Sequence, residues 1–250
     1  MLVSLRQIFL VVWGPPVCDG NWSGGAFVAE AVEATKSLQV CPIEIIHLGE
    51  KADAPMHTCI SDASGDSAVI EILNGKPVIH HGTQHRVMTN SPIYEEQLVL
   101  VKQYEGLGGK KLLPGSAEAE DRFARGAYYL SQLPEQPASY QEAVAGVLSV
   151  IRNMATPLGY VDPVKPNVSP TQWQTISDLT NKRYYFELAR MPNVVWVDFA
   201  NLDLSAGAPV QMFDLASDLE AAGEVSGKFK PVEPLKFQQA GTAVSWKPAG

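Results

Sequence analysis

Basic residues are scarce in this sequence. Nineteen Lys and Arg stand against 27 Asp and Glu, a formal net charge of −8 with a pI near 5.1. A nucleic-acid-binding chain needs a basic face, so the balance excludes that partner class. Long apolar runs are missing as well: no stretch of about 18 apolar residues is present, and a membrane-spanning helix needs one. Cysteine is sparse and odd in number, with only Cys18, Cys41 and Cys59. No C-x-x-C pair occurs among them, which implies neither a zinc site nor a disulfide framework. Cys59, inside the strand-like "MHTCIS", reads as a small buried hydrophobe. The opening "MLVSLRQIFLVVWGPPVC" carries one short apolar stretch, Ile8 to Trp13, behind a single Arg6. Trp13-Gly14-Pro15-Pro16 follows it where a signal peptide would show a small-residue cleavage site, so a buried strand or helix fragment is expected there instead.

What remains is a chain able to fold. Apolar residues make up 46% of 250 and charged residues 18%, enough for a sizeable core. Helical spacing appears over Ala26–Ser37, with Ser23 as a nearby cap, and again over Ile93–Tyr104, Glu118–Leu130 and Ser139–Met154. The last carries Ala143, Val147, Val150 and Ile151 as one apolar stripe. Strands are expected at Cys41–His47, His57–Ser61, Ser67–Leu73 and Pro77–His81, with Arg86–Thr89 continuing the sheet. Asn74-Gly75 between two of them is the pairing that a type I′ hairpin turn favours. Thr171–Leu179, Arg183–Leu188 and Val194–Phe199 read as an antiparallel meander that ends the ordered part, and the chain from Ser205 as a surface arm. Helices over stacked antiparallel sheets, an α+β architecture, is the natural arrangement, ahead of a doubly wound α/β fold.

Several residues invite a functional reading, each beside a plainer one. Asn90, in Thr89-Asn90-Ser91-Pro92, is either a turn residue or a strand-end amide able to donate to an oxyanion. Arg122 and Arg125, at i and i+3 in "EDRFARG", either pair on the surface with Glu118, Glu120 and Asp121 or supply a fixed positive charge to a site. His80, His81 and His85 suggest a metal, but neighbours in a strand point to opposite faces, which argues against a shared ion. The "GLGG" at Gly106–Gly109 lacks the continuation of a phosphate loop.

Five segments, in order, resemble one family. "ISDASGDSAVIE", "GKPVIHHG", "VMTNSP", "LPGSAEAEDRFARGAYYL" and "TQWQTISDLTNKRYYFE" look like stretches of the choloylglycine hydrolase and penicillin V acylase family. The resemblance covers roughly residues 26–204, flanked by an atypical segment 1–25 and a C-terminal arm 205–250. It implies an α+β N-terminal-nucleophile hydrolase fold, a four-layer αββα sandwich of antiparallel sheets, incomplete at its N-terminus. It also implies cleavage of a linear amide C–N bond in a small-molecule substrate such as penicillin V, a conjugated bile acid or an acyl-homoserine lactone. No metal or cofactor is implied; a homo-oligomer and export to the periplasm are. By the same resemblance Asn90 donates to the oxyanion and Arg122, or alternatively Arg125, supports the nucleophilic thiolate. The family's nucleophile is a cysteine freed at the N-terminus, and nothing before Trp13 resembles that opening. The chain is therefore expected to lack the first third of the family and its nucleophile, Cys18 being a poor substitute behind Pro16. An inactive remnant or binding module that keeps the scaffold is the alternative expectation.

Overall fold

The structure is a computed structural model that describes residues 27–36, 45–47, 50–52, 57–162 and 170–234. Ile8–Trp13, Ser23, Cys18, Cys41 and the chain after residue 234 lie outside the described residues.

Helix α1 (Phe27–Thr35) is followed by the short antiparallel pair β1 (Ile45–His47) and β2 (Glu50–Ala52). Strands β3 (His57–Ser61), β4 (Ser67–Leu73) and β5 (Lys76–His81) then form an antiparallel sheet with β4 in the middle. Asn74 and Gly75 close the β4–β5 hairpin with φ of 53° and 74°. Positive φ at both central positions matches the right-handed twist of the flanking strands, which explains the Asn-Gly choice.

Side chains alternate across a strand, so the register sorts this sheet into two faces. Ala68, Ile60 and Ile79 pack with Val28 and Val32 of α1 on one of them. His57, Cys59, Val69, Glu71, Val78 and His80 share the other. That second face belongs to the largest core. It runs from Val69 through Val87, Met88 and Tyr94 to Phe123 and Leu130, and on to Val147, Val150, Ile151, Met154, Ile176 and Tyr185.

The elements that complete this core are helical first. They are α2 (Tyr94–Leu100), which tightens into a 3₁₀ turn at Val101–Gln103, then α3 (Ala119–Ser131) and α4 (Tyr140–Met154). Ser139 caps α4: its Oγ accepts from the Glu142 amide at 3.1 Å, while Glu142 accepts from the Ala138 amide at 2.8 Å. This reciprocal arrangement satisfies one amide of the first helical turn and one just before the cap. The expected strand over Arg86–Thr89 is absent. Val87, Met88 and Thr89 are buried, but the Thr89 carbonyl accepts from side chains instead of from a neighbouring strand.

Strands β6 (Trp173–Asp178), β7 (Arg183–Leu188) and β8 (Val194–Asp198) form the expected meander. The order does not end there. After β9 (Gln211–Met212), β10 (Gly223–Glu224) adds to β8 in parallel, and β11 (Lys230–Pro231) pairs with β9. Ala221 and Val225 fill a second core with Met191, Val195 and Val197, and burial of these side chains holds the later chain onto the sheet.

Candidate active site

Beyond β5 the chain turns at Gly82, buries Val87 to Thr89, and presents a half-buried Asn90 beside the first turn of α3. A cis Ser91–Pro92 peptide follows. Arg122, 2% exposed, reaches out of α3 toward Asn90. Its Nη2 donates to Asn90 Oδ1 at 2.9 Å and its Nε to the Ala117 carbonyl at 3.0 Å. A guanidinium has donors only, so the oxygen of the Asn90 amide must face it. The donating end, Nδ2, therefore lies on the other branch of the carboxamide.

Arg125 goes elsewhere. It is 9% exposed; its Nε donates to the Asn153 carbonyl at 3.0 Å, and its Nη1 to Pro114 and Ser116 carbonyls at 3.1 and 2.8 Å. Burial lowers its pKa, with Asp121 and Tyr129 acting in the opposite sense. Arg125 thus ties the end of α4 to the loop before α3. Neither guanidinium lies on the surface; each is inside the molecule. Of the residues singled out by sequence, the structure brings Asn90 and Arg122 together and leaves Arg125 apart.

A buried polar group that sequence reasoning missed surrounds Thr89. The Thr89 carbonyl accepts from His57 Nδ1 at 2.9 Å and from Gln97 Nε2 at 3.2 Å. Its hydroxyl lies 2.7 Å from Gln97 Oε1 and 3.0 Å from the Ala119 carbonyl. Behind His57, at 3.5 Å from its Nε2, sits Oε1 of Glu71, a carboxylate only 1% exposed. Glu71 also accepts from the Tyr94 amide at 2.9 Å and faces His80 Nε2 at 3.2 Å. The signal for it was present: "SAVIEIL" puts a carboxylate in an otherwise apolar strand, at a position whose alternation points inward.

The remaining candidates separate. His80 faces Glu71, whereas His81, on the opposite face, contacts Asp66 at 2.8 Å. Among the described residues no group of three His, Cys, Asp or Glu could hold a metal ion. Cys59 is free, and burial pushes its thiol pKa up to about 12.

Comparison with known proteins bears on what this pair of residues serves. The profile of the linear amide C–N hydrolases, choloylglycine hydrolase family, matches residues 24–217. The chain belongs to that family. Among curated relatives of this choloylglycine hydrolase family member, a penicillin V acylase from Pectobacterium atrosepticum is 37% identical over 222 residues. The match takes in 82% of this chain and 59% of that protein. The solved penicillin V acylase from Agrobacterium tumefaciens is 41% identical, with a TM-score of 0.71 over 84% of this chain and 64% of its own. A variant of the conjugated bile acid hydrolase from Clostridium perfringens, 20% identical, shares the fold with a TM-score of 0.55 over 85% of this chain and 64% of that one. The chain therefore spans about three fifths of the length of these relatives. The likenesses establish the expected fold class: α+β, of N-terminal-nucleophile hydrolase type.

Proposed function

We propose that this chain carries the charge-stabilising part of a linear-amide hydrolase site, with Asn90 as oxyanion donor and Arg122 as its fixed cation. The observation that carries the reading is the 2.9 Å bond from Arg122 to Asn90 Oδ1 in a member of this family. When a thiolate attacks an amide carbonyl, the C–S bond forms and the π electrons move onto oxygen. A donor aimed at that oxygen lowers the barrier, because the interaction strengthens as charge develops. Asn90 Nδ2 can serve as that donor. The guanidinium on Oδ1 draws electron density through the carboxamide and makes the N–H a stronger donor, as in other chains of hydrogen bonds. Collapse of the tetrahedral intermediate then breaks the C–N bond. The leaving nitrogen takes a proton, supplied in this reading by the ammonium of the N-terminal cysteine, and departs as the amine, which leaves a thioester for water to cleave.

The attacking thiol is not Cys59. Nucleophilic attack needs thiolate, and the half-buried Cys59 thiol, with its raised pKa, has little of it at neutral pH. The nucleophile in this reading comes from outside the described residues, an N-terminal cysteine by family resemblance. Penicillin V, conjugated bile acids and acyl-homoserine lactones are the substrate types to try first.

The test is a chimera in which residues 24–217 replace the matching segment of the Pectobacterium penicillin V acylase, given penicillin V. Turnover is expected, with kcat falling about 10²–10³-fold in Asn90→Ala and KM little changed. A folded, active chimera in which Asn90→Ala keeps full kcat sinks the reading.

A further inference from the structure

The geometry points to His57 and Gln97 as positioning residues for Asn90, with the Glu71 carboxylate beside the His57 ring. This rests on the reading of Asn90 as the oxyanion donor.

Asn90 lies outside any helix or strand, so no backbone ladder fixes it. A catalytic donor must nonetheless be held closely, since a misplacement of about 1 Å is able to cost about 10²-fold in rate. Arg122 fixes only the far end of the side chain. The near end depends on the peptide plane that joins Thr89 to Asn90, and that plane carries the Thr89 carbonyl. His57 and Gln97 both donate to this one oxygen, from β3 and from α2. Gln97, 1% exposed, also donates to the Pro92 carbonyl. One buried side chain thus holds the backbone on both sides of Asn90.

His57 is set by the same logic. A carbonyl only accepts, so His57 Nδ1 carries the proton in its bond to Thr89. Glu71 Oε1 lies 3.5 Å from the other ring nitrogen, Nε2, a contact that orients the ring where Nε2 also carries a proton; that carboxylate is itself located by the Tyr94 amide and His80. His57 and Glu71 are Cα partners in the β3–β4 ladder, so the sheet places the carboxylate under the imidazole. Orientation passes from a rigid strand pair to an irregular segment, the arrangement by which supporting residues fix a functional group.

The test uses the full chain labelled with ¹⁵N and reads the side-chain amide signals of Asn90, assigned by their loss in Asn90→Ala. His57→Leu and Gln97→Leu are expected to shift and broaden those signals. His57→Asn, which keeps an N–H donor near the place of Nδ1, is expected to return them toward the wild-type position. If packing were the whole role, every variant would lower Tm while the Asn90 signals stayed in place, and the proposal would fall. A shift that His57→Asn does not reverse would overturn the donor role of His57. Should His57→Leu not fold, Thr89→Val against Thr89→Ser asks the same question at the Gln97 contact: the first moves the signals, the second does not. Turnover is not read here. Failed hydrolysis in the chimera leaves the brace standing, and an unmoved Asn90 signal leaves the hydrolase reading standing.

Discussion

Cys59 and Arg122 show how burial decides the chemistry of single residues. With its thiol pKa pushed up to about 12, Cys59 stays protonated at neutral pH. Peptide mapping after treatment of the native chain with a maleimide should find Cys59 modified slowly, and unfolding in urea should speed its labelling. Labelling in the folded protein at a rate typical of a free thiol would contradict the burial. Arg122 directs bonds from one planar fork to Ala117 and Asn90. A lysine offers a point charge on a flexible stem and cannot reproduce that fork. Arg122→Lys should cost about 1–3 kcal/mol in urea denaturation and lower kcat in the chimera. Retention of both would mean that only the charge matters. The sequence left surface and site locations both open for this arginine because spacing relates the residues of α3 to one another, and says nothing of which side the core lies on.

Among elements, the loop between the 3₁₀ turn and α3 resolves a motif that had no reading. Gly109 of "GLGG" packs directly on the backbone: a Cβ there would lie 2.0 Å from the Gln103 carbonyl oxygen. Gly115, six positions on, has nothing within 4 Å of the same point. Gly109→Ala should destabilise by at least about 1–3 kcal/mol, as overpacking does, and Gly115→Ala should be nearly neutral, both measured by thermal or urea unfolding. Equal effects would show that backbone approach is not the reason for the first glycine. The loop matters because its Pro114 and Ser116 carbonyls receive Arg125. Legibility differed from element to element for similar physical reasons. The β4–β5 hairpin was readable, since only a few residues accept the φ values that Asn74 and Gly75 adopt. Arg86–Thr89 misled because buried apolar residues look alike in a strand and in an irregular run whose polar groups find side-chain partners. Strand β10 left no signal: two residues held by parallel pairing to β8 carry no period of their own. Asn90 and Arg122 were legible as residues, but the Glu71, His57 and Gln97 support came from three elements that only the folded chain brings together.

For the whole molecule, acid is the expected weakness. His85 has its pKa lowered, first by burial and then by His80 and His81. An unfolded chain then binds more protons than the folded one, so this stability is present above the unfolded histidine value near 6.5 and lost as pH falls through the folded value. Asp198, Asp218 and Glu224 are held low by Arg183, Lys228 and Ser226. They add a second loss as pH falls through their lowered carboxylate values, small because these groups face solvent. Urea midpoints measured from about pH 8 down to about pH 5 should decline, and His85→Gln should flatten that decline. An unchanged slope in the variant would rule His85 out as its source. The largest core has a consequence for synthesis as well. The apolar stripe of α4 packs on Phe123 and Leu130 of α3 and on Ile176 of β6 and Tyr185 of β7, and Tyr140 and Arg152 find Tyr185 and Glu187 on β7. On the ribosome, α3 emerges before α4, but β6 and β7 follow it. At roughly 5–20 residues per second the side of the stripe that faces these strands stays uncovered for a few seconds. During that interval the nascent chain is a natural client for a chaperone.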